Sequence, residues 1–313
     1  MTVLIYLGLS KLIFLKRLEN ILTFQSFNKN SVLADYYFDI GTLYTIERLN
    51  ERIIIKDDHI YVVYNKNNVY YNPLTEAFYA LVFYQRKKYD IFLKLLESLV
   101  KESLILKVKD KEVAFWFYRF PFYPRVIKRR WISGMAQGVV ASVLARAFYM
   151  TKDNRYKDLC VKAIDGMLLS INSDGSLYIG DRWLWIEEYP YEKPLKHVLN
   201  GFMFSLLGLY DAYLITNDKK FLYIFQILVK SLESKMSYYD LVLWSKYDVE
   251  NIADPKYHFI HIILLYILHK LSSRENLKYY LLKWMLGLKV FPLIALIIYL
   301  FKARKRKNLS EDC

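Results

Sequence analysis

The chain has 313 residues, of which 55% are hydrophobic, 17% are aromatic and 24% are charged, and its net charge is +14. This composition excludes an intrinsically disordered chain, and two cysteines, Cys160 and Cys313, exclude a disulfide framework. The positive charge favours a polyanionic partner such as an anionic glycan or an acidic lipid surface, whereas no nucleic-acid-binding motif accompanies it, so we expect no nucleic-acid partner.

The first 34 residues form an apolar segment that we treat as a separate unit. Residues 1 to 15 are mostly apolar, but Lys11 interrupts them, and Lys16 and Arg17 follow. A secretory signal peptide carries its positive charges first and a small-residue cleavage site afterwards, and this segment has neither. We predict an amphipathic or interfacial helix here.

Residues 35 to 125 read as a small β-containing region with a helical hairpin. Short apolar runs alternate with polar turns, and Pro73, Pro121 and Pro124 mark changes of direction. We predict strands at residues 52–55, 60–64 and 69–71, helices from the proline turn to residue 84 and at 89–104, and strand-like residues at 114–118.

Residues 126 to 288 are predicted to be almost entirely helical. A helix over residues 136–150 meets a cap at Thr151, and a second helix follows over 155–169. The same design recurs 65 residues later, where a helix ends at Thr216 and the next opens at about residue 220. This repetition predicts a mainly α fold, an incomplete α/α toroid of stacked helical hairpins, with a small N-terminal β region.

A polar segment between the two repeats carries reactive side chains. Strands or loop over residues 177–185 lead into Trp185-Ile-Glu-Glu-Tyr-Pro190, where two adjacent carboxylates and a tyrosine precede an apolar helix. Such groups at the end of a helical core are typical of a binding cleft. The alternative is a solvated loop that only places negative charge at a helix start, and the residue types alone leave both interpretations open.

Four blocks, in this order, resemble the C-terminal domain of the D-glucuronyl C5-epimerase family, the heparosan or heparan sulfate epimerases. They are Trp131-Ile-Ser-Gly-Met-Ala-Gln-Gly138, Trp185-Ile-Glu-Glu-Tyr-Pro190, Leu199-Asn-Gly-Phe-Met-Phe-Ser-Leu-Leu-Gly-Leu-Tyr-Asp211 and Tyr257-His-Phe-Ile-His-Ile262. The resemblance implies a homodimer that inverts carbon 5 of glucuronate to iduronate within an anionic polysaccharide.

The resemblance also assigns site residues. It implies catalytic roles for Glu188, Tyr189, Tyr247 and Tyr257, while the neighbouring side chains that we expect to contact substrate are Glu187, Asn200, Lys246, His258, His261, Trp185 and Gln137. This chain departs from the family in two respects: Val249 and Glu250 follow Asp248 where the family has an arginine two residues on, and the β region is short.

Inversion of carbon 5 removes a proton from one face of the sugar and returns one to the other, so two acid/base groups must flank the ring. A glutamate and a tyrosine can do this, and Lys246 could lower the tyrosine pKa and hold the substrate carboxylate. We expect no redox cofactor and no metal, because His258 and His261 have no third ligand at suitable spacing. These histidines are expected to pack in a helix or to contact substrate.

Two other functions remain open at this stage. A polysaccharide lyase abstracts the same proton and then expels the group on carbon 4, and residue types cannot separate it from an epimerase. A membrane-associated glycan-binding protein without turnover is a third possibility, suggested by Glu250 in place of the family's arginine.

The tail, residues 289 to 313, is apolar up to Phe301, and a basic run over 302–307 follows. The uninterrupted apolar stretch of 290–301 is shorter than the roughly 20 residues that cross a bilayer, unless Lys289 extends towards the headgroups. We predict a single C-terminal membrane anchor, with either orientation possible. The alternative is a last helix of the toroid with a solvated basic end.

Overall fold

The computed structural model describes residues 29–41, 53–56, 59–64, 68–123, 125–126 and 130–290. The helices in these ranges are α1 (Lys29–Ala34), α2 (Pro73–Gln85), α3 (Tyr89–Glu102), α4 (Gly134–Thr151), α5 (Asn154–Met167), α6 (Leu199–Thr216), α7 (Lys219–Tyr239), α8 (Pro255–Ser272) and α9 (Glu275–Val290). The strands are β1 (Ile53–Lys56), β2 (His59–Tyr64), β3 (Asn68–Tyr71), β4 (Leu104–Val108), β5 (Lys111–Phe115), β6 (Leu177–Ile179) and β7 (Leu184–Ile186). The prediction of a mainly helical fold with a small β region is confirmed.

The strands form three small antiparallel sheets. In the first, β2 lies between β1 and β3, and Val62 pairs with Ile53 on one side and with Tyr70 on the other. The return of residues 69–71 as a hairpin arm is therefore confirmed. Strands β4 and β5 form the second sheet, and β6 with β7 forms the third, which leads into the polar segment described above.

The helices pair as hairpins along the chain. Helix α2 packs on α3, α4 on α5, α6 on α7, and α8 on α9, while the first members of these pairs contact one another in the order α2, α4, α6, α8. The result is a row of stacked helical hairpins. The closure of this row into part of a toroid stays a prediction.

Two helix junctions share the same capping geometry. Thr151 donates its hydroxyl to the carbonyl of Ala147 at 2.7 Å, and Asp153 accepts the backbone N–H of residue 155 at 2.9 Å. Thr216 and Asp218 repeat the two bonds at 2.7 and 2.8 Å. Helix α4 starts at Gly134, two residues before the predicted start at 136. Ser133 caps this helix by accepting the N–H of residue 136 at 3.3 Å.

Helices α4 and α6 cross at glycine positions that leave no room for a side chain. A Cβ atom added to Gly208 would lie 2.0 Å from the carbonyl oxygen of Gly138, and one added to Gly138 would lie 2.6 Å from the Cα of Ser205. Because the two backbones are in contact, the N-terminal ends of α4 and α6 have fixed positions relative to each other. The chain segments that lead into these two helices are positioned by the same contact.

A continuous hydrophobic core extends from Val32 to Trp284 and includes both the β region and the helical hairpins. The segment after α1 is joined to this core by Arg146, whose guanidinium contacts Asp211 at 2.8 Å and the carbonyl of Asp35 at 2.6 Å. Tyr37 donates to the same Asp211 at 2.9 Å. A buried, hydrogen-bonded ion pair thus attaches the N-terminal part of the described chain to α4 and α6.

Two predictions fall outside the described residues: the N-terminal interfacial helix, and the tail predicted over 289–313 except for its first two residues, which end α9. Within the described residues, no helix combines the length and apolar character that a membrane span requires.

Candidate functional site

Strand β7 carries the chain from the core into the polar segment. Trp185, at the centre of the strand, is fully buried and stacks on Phe202 with ring centroids 3.9 Å apart and on Tyr239 at 5.6 Å. Trp185 therefore packs in the core. The carbonyl of Glu187 then accepts the N–H of Gly134 at 3.0 Å, which joins the segment to the start of α4.

Glu187 and Glu188 have different partners. Glu187 is buried and hydrogen-bonded to His197 Nδ1. The His197 ring also contacts Trp183 at a centroid distance of 4.7 Å. Burial raises the pKa of Glu187, and the hydrogen bond from His197 opposes that shift. This pair joins the two ends of the loop that precedes α6, so Glu187 supports the loop.

The Glu188 carboxylate lies at the N-terminus of α6. A Cβ atom added to Gly201 would lie 2.3 Å from Glu188 Oε2 and 2.7 Å from its Cβ, so the two residues are in direct contact. The N-terminal end of a helix carries partial positive charge, which stabilises a carboxylate there. Asn200 is also buried here; it donates to the sulfur of Met135 at 3.9 Å, and its amide oxygen has no partner among the described residues.

Two tyrosines lie close to Glu188, and a third tyrosine contacts one of them. The negative charge of Glu188 acts on both Tyr189 and Tyr247, and the rings of Tyr247 and Tyr257 are 4.6 Å apart. All three tyrosines are partly buried, so each retains some access to solvent. The four residues to which the resemblance gives catalytic roles are therefore linked through Tyr247.

The environment keeps two of these phenols protonated at neutral pH. Desolvation raises the pKa of Tyr189 and of Tyr247 well above the usual value, and the neighbouring charge of Glu188 raises both further. The positive charge of Arg125 acts in the opposite direction but does not reverse the shift. Tyr189 and Tyr247 are thus proton and hydrogen-bond donors.

Arg125 was not predicted from the sequence, yet it lies beside two of these tyrosines. Its guanidinium carbon lies 5.1 Å from the ring centroid of Tyr189 and 5.4 Å from that of Tyr247. It also pairs with Glu192 at 3.0 Å and with Asp248 at 2.8 Å. The local sequence offers one signal only, a single arginine directly after two prolines that bracket aromatic residues.

Three lysines lie near these residues, and the Nζ of Lys256 is 5.0 Å from the ring centroid of Tyr257. Lys246, the cation expected beside the tyrosine, has its Nζ 3.5 Å from the carbonyl of Val249. Lys196 forms an ion pair with Glu250, the residue that stands where the family has arginine. The positive charge that acts on Tyr189 and Tyr247 therefore comes from Arg125.

His258 and His261 hold the loop before α8 against that helix. Ser245 Oγ lies 2.8 Å from His258 Nδ1 and 2.7 Å from His261 Nδ1, and the N–H of Ser245 donates to His258 Nδ1 at 3.1 Å. Both rings are fully buried, and desolvation lowers both pKa values, that of His258 to about 3. Neutral imidazoles in these positions support the loop.

Among the described residues, the hydrogen bonds of the Gln137 side chain are all made with backbone groups. It accepts the N–H of Trp116 at 3.0 Å and donates to the carbonyls of Ala114 at 2.8 Å and Ala163 at 3.3 Å. It joins β5 to α4 and α5 in the core. Within the described residues no group of three or more His, Cys, Asp or Glu side chains could hold a metal ion.

Comparison with known proteins gives a consistent result. The family model described as D-glucuronyl C5-epimerase C-terminus matches residues 109–286. The chain is 35% identical over 164 residues to the D-glucuronyl C5-epimerase of Caenorhabditis elegans, covering 45% of this chain and 26% of that protein. It is 28% identical over 186 residues to the uncharacterized protein MJ1128 of Methanocaldococcus jannaschii, covering 57% of this chain and 60% of that protein.

The matches cover less than two thirds of the length of both relatives. The matched residues nevertheless include β5, all the helices from α4 to α8, and the segments that carry Glu188, Tyr247 and Tyr257. Since the model covers more than half of the chain, the chain belongs to the D-glucuronyl C5-epimerase family, in the part that forms the C-terminus of its members.

Proposed function

We propose that this protein inverts carbon 5 of D-glucuronate residues within an anionic polysaccharide, giving L-iduronate. The observation that supports this most directly is a group of one carboxylate and three phenols from three separate segments. Glu188 acts on Tyr189 and Tyr247, Arg125 lies over the rings of both, and Tyr247 contacts Tyr257. A reaction at two faces of one carbon needs acid/base groups that reach it from different directions.

The proposed reaction has two proton transfers. Glu188 removes the proton from carbon 5 as a general base, and the electron pair of the broken C–H bond moves onto the neighbouring carboxylate, which becomes an enediolate. The Tyr257 phenol then gives its proton to the opposite face of carbon 5, and the electron pair returns to form the new C–H bond. Glu188 loses its proton to solvent and Tyr257 regains one, so the protein is unchanged after each turnover.

Tyr189 and Tyr247 have a second role in this proposal. Since desolvation and Glu188 hold the pKa of both phenols well above the usual value, they stay protonated and can donate hydrogen bonds to the enediolate oxygens. Donors that are already in place stabilise charge that develops in the transition state more than charge in the ground state.

Incubation with heparosan in heavy water tests the proposal. An epimerase incorporates solvent deuterium at carbon 5 without shortening the chain. A lyase shortens the chain and leaves an unsaturated end that absorbs ultraviolet light, and a binding protein does neither. The polymer length and the deuterium content of the recovered uronates therefore identify the reaction.

Single substitutions test the assigned residues. Glu188→Gln and Tyr257→Phe should each reduce net inversion by about 100-fold or more, the usual effect of losing a general acid or base. Glu275→Gln and Tyr223→Phe, which alter exposed side chains on α9 and α7, are matched controls that should keep full activity. Full activity in both Glu188→Gln and Tyr257→Phe would remove these two residues from the mechanism.

A further inference from the structure

The guanidinium of Arg125 makes two ion pairs with unequal surroundings. Its Nη2 donates to Asp248 Oδ2 at 2.8 Å, and its Nη1 donates to the two oxygens of Glu192 at 3.2 and 3.0 Å. The Arg125 side chain is 17% exposed, so it keeps some contact with solvent. Arginine is the side chain best suited to hold a carboxylate by two parallel hydrogen bonds.

Asp248 is a fixed partner. Its carboxylate is fully buried and accepts the backbone N–H of Glu250 at 3.0 Å and of Asn251 at 2.7 Å. The Asn251 amide donates to both carboxylate oxygens as well, at 2.9 and 3.1 Å. With these bonds Asp248 keeps its position whether or not Arg125 is present, so it can orient the guanidinium.

Glu192 is held much less strongly. Among the described residues, Arg125 is the only group that hydrogen-bonds its carboxylate, and Lys196 is the other nearby cation. Lys196 is itself paired with Glu250. Glu192 also lies in the short loop that follows Glu188 and Tyr189, and its side chain is 10% exposed.

The proposed reaction requires a cation at the substrate carboxylate, since the negative charge of the enediolate develops there. Lys196 and Lys246 contact Glu250 and a backbone carbonyl, and Lys256 lies over the ring of Tyr257. Arg125 is the cation that lies over the rings of both Tyr189 and Tyr247. A carboxylate that hydrogen-bonds to Nη1 of Arg125 would take the position that Glu192 holds in the free protein.

We infer that Arg125 binds the carboxylate of the substrate uronate, and that Glu192 occupies this position as an exchangeable internal carboxylate until the substrate displaces it. The inference rests on the proposed function, because it concerns the same site. Arg125 keeps a negative partner before and after binding, so its charge is never left buried and unpaired.

This exchange makes the site selective for acidic sugars. A uronate replaces Glu192 at the guanidinium with a group of equal charge and similar geometry. A neutral sugar offers no carboxylate, so it either leaves Glu192 in place or leaves Arg125 without its second anion. The site therefore discriminates by charge at the residue undergoing reaction, independently of contacts along the rest of the polymer.

Calorimetric binding of two probes tests the inference: heparosan fragments, and the same fragments after their carboxyl groups have been reduced to alcohols. The wild-type protein should bind the carboxylate fragments at least about tenfold more tightly, the effect of one charge-assisted hydrogen-bonded contact. In Arg125→Met this ratio should fall to near one, and Arg125→Lys should restore part of it. Arg155→Met, which removes an exposed arginine at the start of α5, is the matched control and should keep the wild-type ratio.

The variant Glu192→Gln tests the role of the internal carboxylate, and it should strengthen binding where Arg125→Met weakens it. Because it removes the competing negative charge, it should bind the carboxylate fragments about threefold or more tightly, with little change for the reduced fragments. A purely structural Glu192 would instead give weaker binding of both probes and a lower melting temperature.

The inference is overturned if the wild-type protein does not prefer the carboxylate fragments, if Arg125→Met keeps the wild-type ratio, or if Glu192→Gln weakens their binding. The deuterium experiment distinguishes a failure of this inference from a failure of the proposed function. Deuterium incorporation by the wild type with an unchanged ratio in Arg125→Met rejects the inference alone. The expected binding pattern without deuterium incorporation rejects the proposed epimerisation and leaves the carboxylate site standing.

Discussion

At the start of α6 the absence of a side chain at Gly201 leaves the space that the Glu188 side chain occupies. An added Cβ atom would lie 2.7 Å from the Cβ of Glu188 and 2.3 Å from its Oε2. The first of these atoms cannot move without the backbone of the loop, so the position of the carboxylate depends on this glycine.

Gly201→Ala should therefore reduce turnover by about tenfold or more, because it displaces a general base from its working geometry. The protein should remain folded, since alanine is favoured over glycine inside a helix by about 1 kcal/mol. Turnover on heparosan and the melting temperature measure the two effects separately.

Gly41→Ala is the matched control, because its added Cβ would meet the flexible Arg86 side chain at 3.1 Å, away from the residues assigned to catalysis. Unchanged turnover in Gly201→Ala would show that the Glu188 side chain adjusts without loss, and the assigned geometry would then be wrong.

At the scale of elements, the loop before α8 depends on two neutral histidines. Folding lowers the pKa of His258 to about 3 and that of His261 well below its ordinary value, in both cases mainly through desolvation. The unfolded chain binds protons on these side chains near pH 6.5, which the folded chain does not. Their contribution to stability is therefore present above about pH 6.5 and is lost as the pH falls towards 3.

Urea unfolding at pH 8, 6 and 5 should show this loss in the wild-type protein. The double variant His258→Gln and His261→Gln should be less stable at pH 8 but should lose less stability between pH 8 and pH 5. His269→Gln, at a partly exposed histidine near the end of α8, is the control and should keep the wild-type slope.

Glu76 changes the stability in the opposite direction. Burial raises its pKa to about 7, so its contribution to stability is present below pH 4.5 and is lost as the pH rises through 7. This contribution is common to the wild type and the variants, so it cancels in the comparison. Equal slopes in the wild type and the double variant would contradict the assignment to the histidines.

At the scale of the whole molecule, the described core ends with α9, and the apolar and basic tail follows directly. Trp284 is fully buried and donates to Asp240 at 2.9 Å, which joins α9 to the end of α7. We propose that residues 291–313 attach the protein to a membrane, with the apolar residues entering the lipid and the basic run contacting anionic headgroups.

A chain truncated after Val290 should lose sedimentation with vesicles that contain anionic lipid, because it lacks the apolar and basic residues. Its melting temperature and circular dichroism should match those of the full chain, since the buried contacts of α9 remain. A chain truncated after Lys307 retains both features and is the control. If the chain that ends at Val290 still sedimented with vesicles, the membrane contact would lie elsewhere, and residues 1 to 15 would be the next segment to remove.

The sequence by itself determined the features that depend on neighbouring residues. Helical periodicity, the repeated caps at Thr151 and Thr216, and the β2–β3 hairpin all follow from residues a few positions apart, which is why the hairpins were predicted. The motif containing Glu188 and Tyr189 indicated the site for the same reason.

Only the tertiary structure decided which side chains meet. Glu187 and Glu188 are adjacent in sequence, yet one pairs with His197 and the other lies on Gly201. Arg125 meets Asp248 across 123 positions, and Gln137, which resembled a substrate contact, satisfies backbone groups in the core. Such contacts arise from how α4, α6 and α8 pack against one another, and no local spacing carries that information.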